Sequence, residues 1–141
     1  MKNSLVQISI GFLPIVLGFL YPIISFLPLF LVNILFFAVW VWLCFRFTDP
    51  AASLLPQLLR ILLPGAVIIA LALWQELVPN NNLPAVIMQA SNFYFLSGIQ
   101  LAGRILTPFL RTITAWPYYI VDYAAMAIAA ILSVVVKKKV A

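Results

Sequence analysis

Few residues in this sequence are able to do acid–base or metal chemistry. The 141 residues include three carboxylates, Asp49, Glu76 and Asp122, and no histidine. Histidine is the commonest general base and the commonest nitrogen ligand for metals. The three acids lie far apart in the sequence and in unlike settings, so they suggest no paired-acid site. We therefore predict no catalytic residue, no metal site and no cofactor, and a protein that is not an enzyme.

Asp122 is the most informative of the three acids. It lies just after Tyr118 and Tyr119, at the start of a long apolar stretch. A carboxylate within a membrane span is costly unless it is paired or reaches water. Three interpretations follow: a proton or cation site coupled to Arg104 or Arg111, a structural ion pair with one of these arginines, or a carboxylate that still lies within reach of the headgroups.

Polar side chains recur with a helical period over residues 97–114. At about 100° per residue they share one narrow face, and apolar side chains fill the remainder. The polar face consists of Ser97, Gln100, Arg104, Thr107, Arg111 and Thr114. This pattern predicts an amphipathic helix that lies flat at the lipid surface, or one that packs against a partner or lines an ion path. In the second case Gln100, Arg104 and Arg111 would contact acidic groups or lipid phosphates.

The composition indicates an all-α integral membrane protein. The chain is 66% hydrophobic and 8% charged, whereas about 25% of the residues in soluble domains are charged. Its long apolar runs lack the alternation of a barrel strand, so helices must span the bilayer. The net charge of +5 comes from Lys and Arg at the ends of apolar runs, where lipid headgroups account for them. We expect the lipid bilayer as a partner and no nucleic acid.

The whole chain, 1–141, is predicted to form one polytopic membrane domain. Its predicted spans are 5–20, 28–45, 62–78 and 116–136. Pro22 and Pro28 mark the reversal between the first two spans. A short interfacial helix over 51–61 leads into the third span, with Pro64 near that span's first turn. Segment 85–114 is either an interfacial or re-entrant element or a fifth span. Asn33, a lone amide in the second span, predicts an interhelical hydrogen bond.

The distribution of Lys and Arg favours four spans with both termini in the cytoplasm. Lys2, Arg46, Arg60 and the three lysines at 137–139 then lie inside, against Arg104 and Arg111 outside. Five spans would place the three C-terminal lysines outside, which the positive-inside rule disfavours. The size of the chain and its short N-terminal anchor favour a bacterial inner membrane.

These features predict a non-catalytic inner-membrane subunit that assembles with itself or with larger partners, as in a secretion, conjugation or transport apparatus. This prediction is based on the small size of the chain, on the few residues outside its predicted membrane segments, and on one amphipathic segment suited to docking. The alternative is a small oligomeric channel or ion-coupled transporter that uses Asp122 and the Arg104/Arg111 face. A further alternative is a holin-like protein that perturbs the membrane.

Overall fold

The structure, a computed structural model, describes residues 2–24, 26–78, 84–96, 98–110 and 114–140. This described part consists of six α-helices with connecting turns and contains no strand, which confirms the predicted all-α class. The helices are α1 (Lys2–Leu20), α2 (Leu29–Phe47), α3 (Leu54–Leu77), α4 (Ala85–Leu96), α5 (Ile99–Leu106) and α6 (Trp116–Val140). Three of them, α2, α3 and α6, are long and apolar enough to cross a membrane, whereas the apolar part of α1 and all of α4 are shorter.

Hydrogen bonds gather four helix ends at one end of the bundle. Gln7 Nε2 donates to the Phe47 carbonyl and to Gln57 Oε1, each at 3.1 Å. Lys137 Nζ donates to the Arg46 carbonyl at 3.1 Å. The start of α1, the end of α2, the start of α3 and the end of α6 therefore lie together. We call this the basic end, because it carries Arg46, Arg60 and Lys137–Lys139.

The opposite end joins the end of α3 to the start of α6. The backbone N–H of Trp116 donates to Glu76 Oε2 at 3.3 Å. Since α1 and α2 also connect to each other away from the basic end, their linking turn lies on this side. We call it the Glu76 end.

Between these ends, α4 and α5 form a pair of short helices inside the bundle. The α4 helix packs against α1 and α3, and α5 packs against α6 and α2. Gly98, in the turn between them, lies against Asp122 of α6. The turn of the pair therefore lies more than one helical turn along α6 from Trp116.

The α5 helix is shorter than the helix predicted over 97–114. It ends at Leu106, and residues 107–109 form a turn. Pro108 lies in this turn, and proline lacks the N–H that a continuing helix needs. Ser97 and residues 111–113 lie outside the described residues.

The third long helix begins earlier than predicted, since α3 runs without interruption from Leu54 through Pro64. The expected separate helix over 51–61 and the span over 62–78 are thus one element. Proline removes one helical hydrogen bond, but the Pro64 ring is buried and packs closely on α1, where a Cβ on Gly11 would lie 2.7 Å from its Cγ. This close contact between helices compensates for the missing bond.

The core is formed by α1, α2, α3, α4 and α6. Its largest fully buried side chains include Trp40, Tyr94, Phe36 and Phe95. Trp40 Nε1 donates to the Met126 carbonyl at 3.1 Å and links α2 to α6. Large apolar side chains also cover the outside of the bundle, Phe12 and Leu35 among them, as expected for a protein surrounded by lipid.

Candidate functional site

Asp122 is the buried acid of the bundle. It lies in the second turn of α6, and its side chain is 0% exposed. Among the described residues, neither of its carboxyl oxygens has a hydrogen-bond partner. Buried polar groups are hydrogen-bonded in the great majority of cases, and each exception calls for an explanation.

The turn between α4 and α5 covers this carboxyl group. Gly98 is buried, and a methyl group in place of its hydrogen would overlap the Asp122 carboxyl. The turn is held by the Gly98 N–H, which donates to the Phe95 carbonyl at 3.2 Å, and by the Leu101 N–H, which donates to the Gly98 carbonyl at 3.0 Å. Gly98 has a negative φ of −107°. The site therefore requires glycine at position 98 because there is no room for a side chain, and not because the backbone conformation is unusual.

Tyr94 contributes a second buried polar group from α4. Its hydroxyl group has no hydrogen-bond partner among the described residues, and it lies against α3, where a Cβ on Gly65 would overlap it. The Tyr123 ring lies beside it, since both tyrosines pack over Gly65. The Tyr123 hydroxyl group, unlike that of Tyr94, has a hydrogen-bond partner, since it donates to the Leu62 carbonyl at 2.9 Å.

A polar cleft opens between α3, α4 and α6 at the Glu76 end. It has a volume of about 60 Å³. Its polar lining consists of Gln75, Glu76, Ser91, Asn92 and Tyr119. The Tyr119 hydroxyl group donates to Asn92 Oδ1 at 2.6 Å. Tyr119 precedes Asp122 by three residues, so the two side chains share one face of α6, about 4.5 Å apart along its axis.

The predicted polar residues of α5 lie elsewhere. Gln100 and Arg104 line a surface groove with Asn33 of α2, and Arg104 is exposed. Gly98 and Ala102, four residues apart, are the buried residues of α5 and its turn, so this face is the one turned towards α6. Arg104 is about 240° around the helix from Gly98 and points away from Asp122.

The structure therefore brings Gln100, Arg104 and Asn33 together but leaves Asp122 apart from them. Arg111 lies outside the described residues. Asn33 is buried, as a residue that bonds between helices should be, and its predicted partner stays a prediction.

The sequence analysis named Glu76 and Tyr119 but did not predict that they line one cleft with Ser91 and Asn92, and it assigned no role at Asp122 to Tyr94 or Gly98. A signal was available in part, because Ser91 and Asn92 made segment 85–102 a poor lipid-facing span. In the structure Ser91 is buried, and its hydroxyl group donates to the Ile87 carbonyl at 3.1 Å. Tyr94 and Gly98 are ordinary residues of an apolar helix and its turn, and only the fold places them at an acid.

The described residues bring together no group of three metal-binding side chains. The absence of a metal or cofactor stays a prediction. What the site offers chemically is one carboxyl group that binds or releases a proton, near one tyrosine hydroxyl group.

Fold and site together define an all-helical protein with three candidate membrane spans and a buried acid covered by a helical turn. Comparison with protein-family models, with curated proteins and with solved structures gives no match.

Proposed function

We propose that the protein is a small membrane transporter or channel subunit that moves protons, with Asp122 as the proton-binding group. The observation that carries this proposal is the fully buried Asp122 carboxyl, which has no hydrogen-bond partner among the described residues. An ionised carboxylate is costly in apolar surroundings. A group of this kind takes up a proton when water leaves it and gives the proton up when water returns.

A proton fits this site better than a metal cation. Cations such as Ca²⁺ need about six to eight oxygen ligands, whereas a proton needs one acceptor atom. The described residues give the Asp122 carboxyl oxygens no hydrogen-bond partner and bring no group of three metal-binding side chains together. Protons also need no wide pore, which agrees with the small polar cleft at the Glu76 end.

We propose that the proton reaches Asp122 from the side of this cleft. Glu76, Asn92 and Tyr119 line the cleft, and Tyr119 lies about one helical turn from Asp122 on the same face of α6. Towards the basic end, the next buried residues on the same helix are Met126 and Ala130, both 0% exposed. Release to that side would therefore require a movement that separates α6 from its neighbours.

Proton flux into vesicles tests the proposal. The purified protein is reconstituted into liposomes that contain a pH-sensitive dye, and a potassium gradient with valinomycin drives protons across. We expect flux from the wild-type protein and none above empty liposomes from Asp122→Asn. Asp49→Asn is the matched control, because Asp49 is an exposed acid at the basic end, and it should retain full flux. Absence of flux in the wild type, or equal flux in Asp122→Asn, would refute the proposal.

A second candidate, a membrane subunit that docks to a partner, is favoured by the surface of α5. Gln100, Gly103, Arg104 and Thr107 line an open depression with Pro108, and Arg104 and Thr107 are exposed there. An acidic side chain on a partner helix would suit Arg104, whose planar guanidinium makes bidentate bonds to carboxylates. Cross-linking through Thr107→Cys in native membranes, with Arg104→Glu as the disrupting variant, tests this candidate. A monomeric protein without cross-linked partners would exclude it.

A further inference from the structure

We infer that the groove between α1 and α3 near the basic end binds one anionic phospholipid, with the lipid phosphate on Arg60 and an acyl chain along the apolar wall. This inference is independent of proton transport, because the groove lies on the outside of the bundle and does not include Asp122.

The wall of the groove is apolar and open to lipid. Ile8 and Phe12 form its α1 side, and Leu63 and Val67 form its α3 side. All four side chains are exposed. The four residues pair at helical spacings, i to i+4 on each helix, so they form two parallel ridges with a channel between them. The groove has a volume of about 220 Å³.

Among the residues that the structure describes, Arg60 is the one charged side chain that lines this groove. Its Nη1 donates to Gln7 Oε1 at 3.4 Å, a long bond that holds the side chain between α1 and α3. A guanidinium group has five N–H donors, and this is the single hydrogen bond that the described residues give it. Arg60 is therefore linked to α1 by one donor, and its remaining donors have no partner among the described residues.

The chemistry of the groove matches a phospholipid better than a protein partner. A helix with its side chains is about 10–12 Å across, too wide for a groove of this volume, whereas a single alkyl chain is narrow and apolar. Arginine binds phosphate with paired, charge-assisted hydrogen bonds. Arg60 lies about two turns from the start of α3. From this depth the long side chain of an arginine reaches the headgroup layer.

Native mass spectrometry from a mild detergent tests the site. The protein is titrated with phosphatidylglycerol and, separately, with phosphatidylcholine. We expect one phosphatidylglycerol to stay bound to the wild type and phosphatidylcholine to bind more weakly. Arg60→Gln should lower phosphatidylglycerol affinity by about tenfold, as expected when a charge-assisted hydrogen bond is lost. Arg46→Gln is the matched control, since this exposed arginine lies at the same end but outside the groove, and it should bind like the wild type.

A second variant separates loss of the site from loss of the fold. Val67→Trp fills the exposed channel and leaves Arg60 and Gln7 in place, so it should also lose the lipid while the buried Cys44 stays protected from thiol reagents. Unchanged binding in Arg60→Gln or in Val67→Trp would overturn the inference. Displacement of the lipid by excess inorganic phosphate would also overturn it, because the site would then recognise phosphate alone.

Discussion

Gly98 is the residue on which the position of the Asp122 carboxyl depends. No larger residue fits between the turn and α6, because a methyl group at Gly98 would occupy the space of the carboxyl oxygens. An extra methyl group in a packed interior costs about 1–3 kcal/mol. We expect Gly98→Ala to lower the free energy of unfolding by that amount, measured by denaturing-detergent titration with labelling of the buried Cys44 as the readout.

Gly103→Ala is the control for this prediction. Gly103 is also a glycine of this segment, but a Cβ there would meet nothing within 4 Å. Since alanine favours a helix over glycine by about 1 kcal/mol, Gly103→Ala should leave the protein as stable as the wild type or slightly more stable. In an Asp122→Ala background the carboxyl is gone, and Gly98→Ala should then cost much less. Equal losses in both backgrounds would contradict the proposed overlap.

The importance of Asp122 was predictable from the sequence, whereas its surroundings were not. An acid within an apolar stretch stands out because burial of a charge is costly. The predicted partner was Arg104 or Arg111, and Arg111 lies outside the described residues. Because the described helix begins at Ile99 and turns Gly98 and Ala102 towards α6, Arg104 points to the surface instead.

Trp40 fixes the contact between α2 and α6. Its ring is 0% exposed, and its indole N–H donates to the Met126 carbonyl. Trp40→Phe removes this bond and leaves a cavity, so we expect a loss of about 1–3 kcal/mol in the free energy of unfolding. Trp42, which is 60% exposed, provides the comparison: Trp42→Phe should have little effect in the same detergent titration. Similar losses for the two variants would mean that Trp40 does not hold these helices together.

Gln57 fixes the turn between α2 and α3. Its Oε1 accepts from the Asp49 N–H at 2.7 Å, and its Nε2 donates to the Asp49 carbonyl at 2.9 Å. Gln57→Leu leaves these partly buried backbone groups unsatisfied, and we expect a loss of about 1–3 kcal/mol. The exposed Gln89 supplies the control, because Gln89→Leu should not destabilise the protein. Thermal exposure of Cys44 measures both variants, and a stable Gln57→Leu protein would refute the assigned role.

Prolines predicted one helix boundary correctly and another wrongly. The reversal between α1 and α2 lies where Pro22 and Pro28 predicted it. Pro64 was taken as the start of a span, yet it lies inside α3 because its ring packs against Gly11 of α1. A single sequence shows the missing N–H of a proline but not the distant contact that compensates for it.

At the scale of the whole molecule, the positions of the helix ends predict which of these ends lie on the same side of the membrane. The structure places the start of α3 and the end of α6 together, and Glu76 beside Trp116 at the other end. In a Cys44→Ser background, Ser53→Cys and Lys138→Cys should be labelled from the same side of the membrane and Thr114→Cys from the opposite side. These three positions are exposed. Labelling of Ser53→Cys and Lys138→Cys from opposite sides would favour five spans and contradict the arrangement.

The class of the whole molecule followed from composition, because a chain with so few charged residues has no means of covering a water-facing surface. The number of spans did not follow. Segment 85–106 has enough residues to cross a bilayer as one helix, and only its division into α4 and α5, with a turn at Asp122, distinguishes a pair of short helices from a span. That division depends on contacts with α1 and α6, which a hydropathy pattern does not contain.

The cover that α6 provides for α5 also has a consequence for biosynthesis. Ribosomes produce α4 and α5 before α6, yet α5 and the turn at Gly98 have their main packing surface on α6. Until α6 emerges, the polar backbone of that turn lacks its cover, and an uncovered turn is unfavourable in hydrocarbon. We therefore expect α5 and this turn to pack into the bundle only after α6 has been made, whereas α4 can pack against α1 and α3 before that.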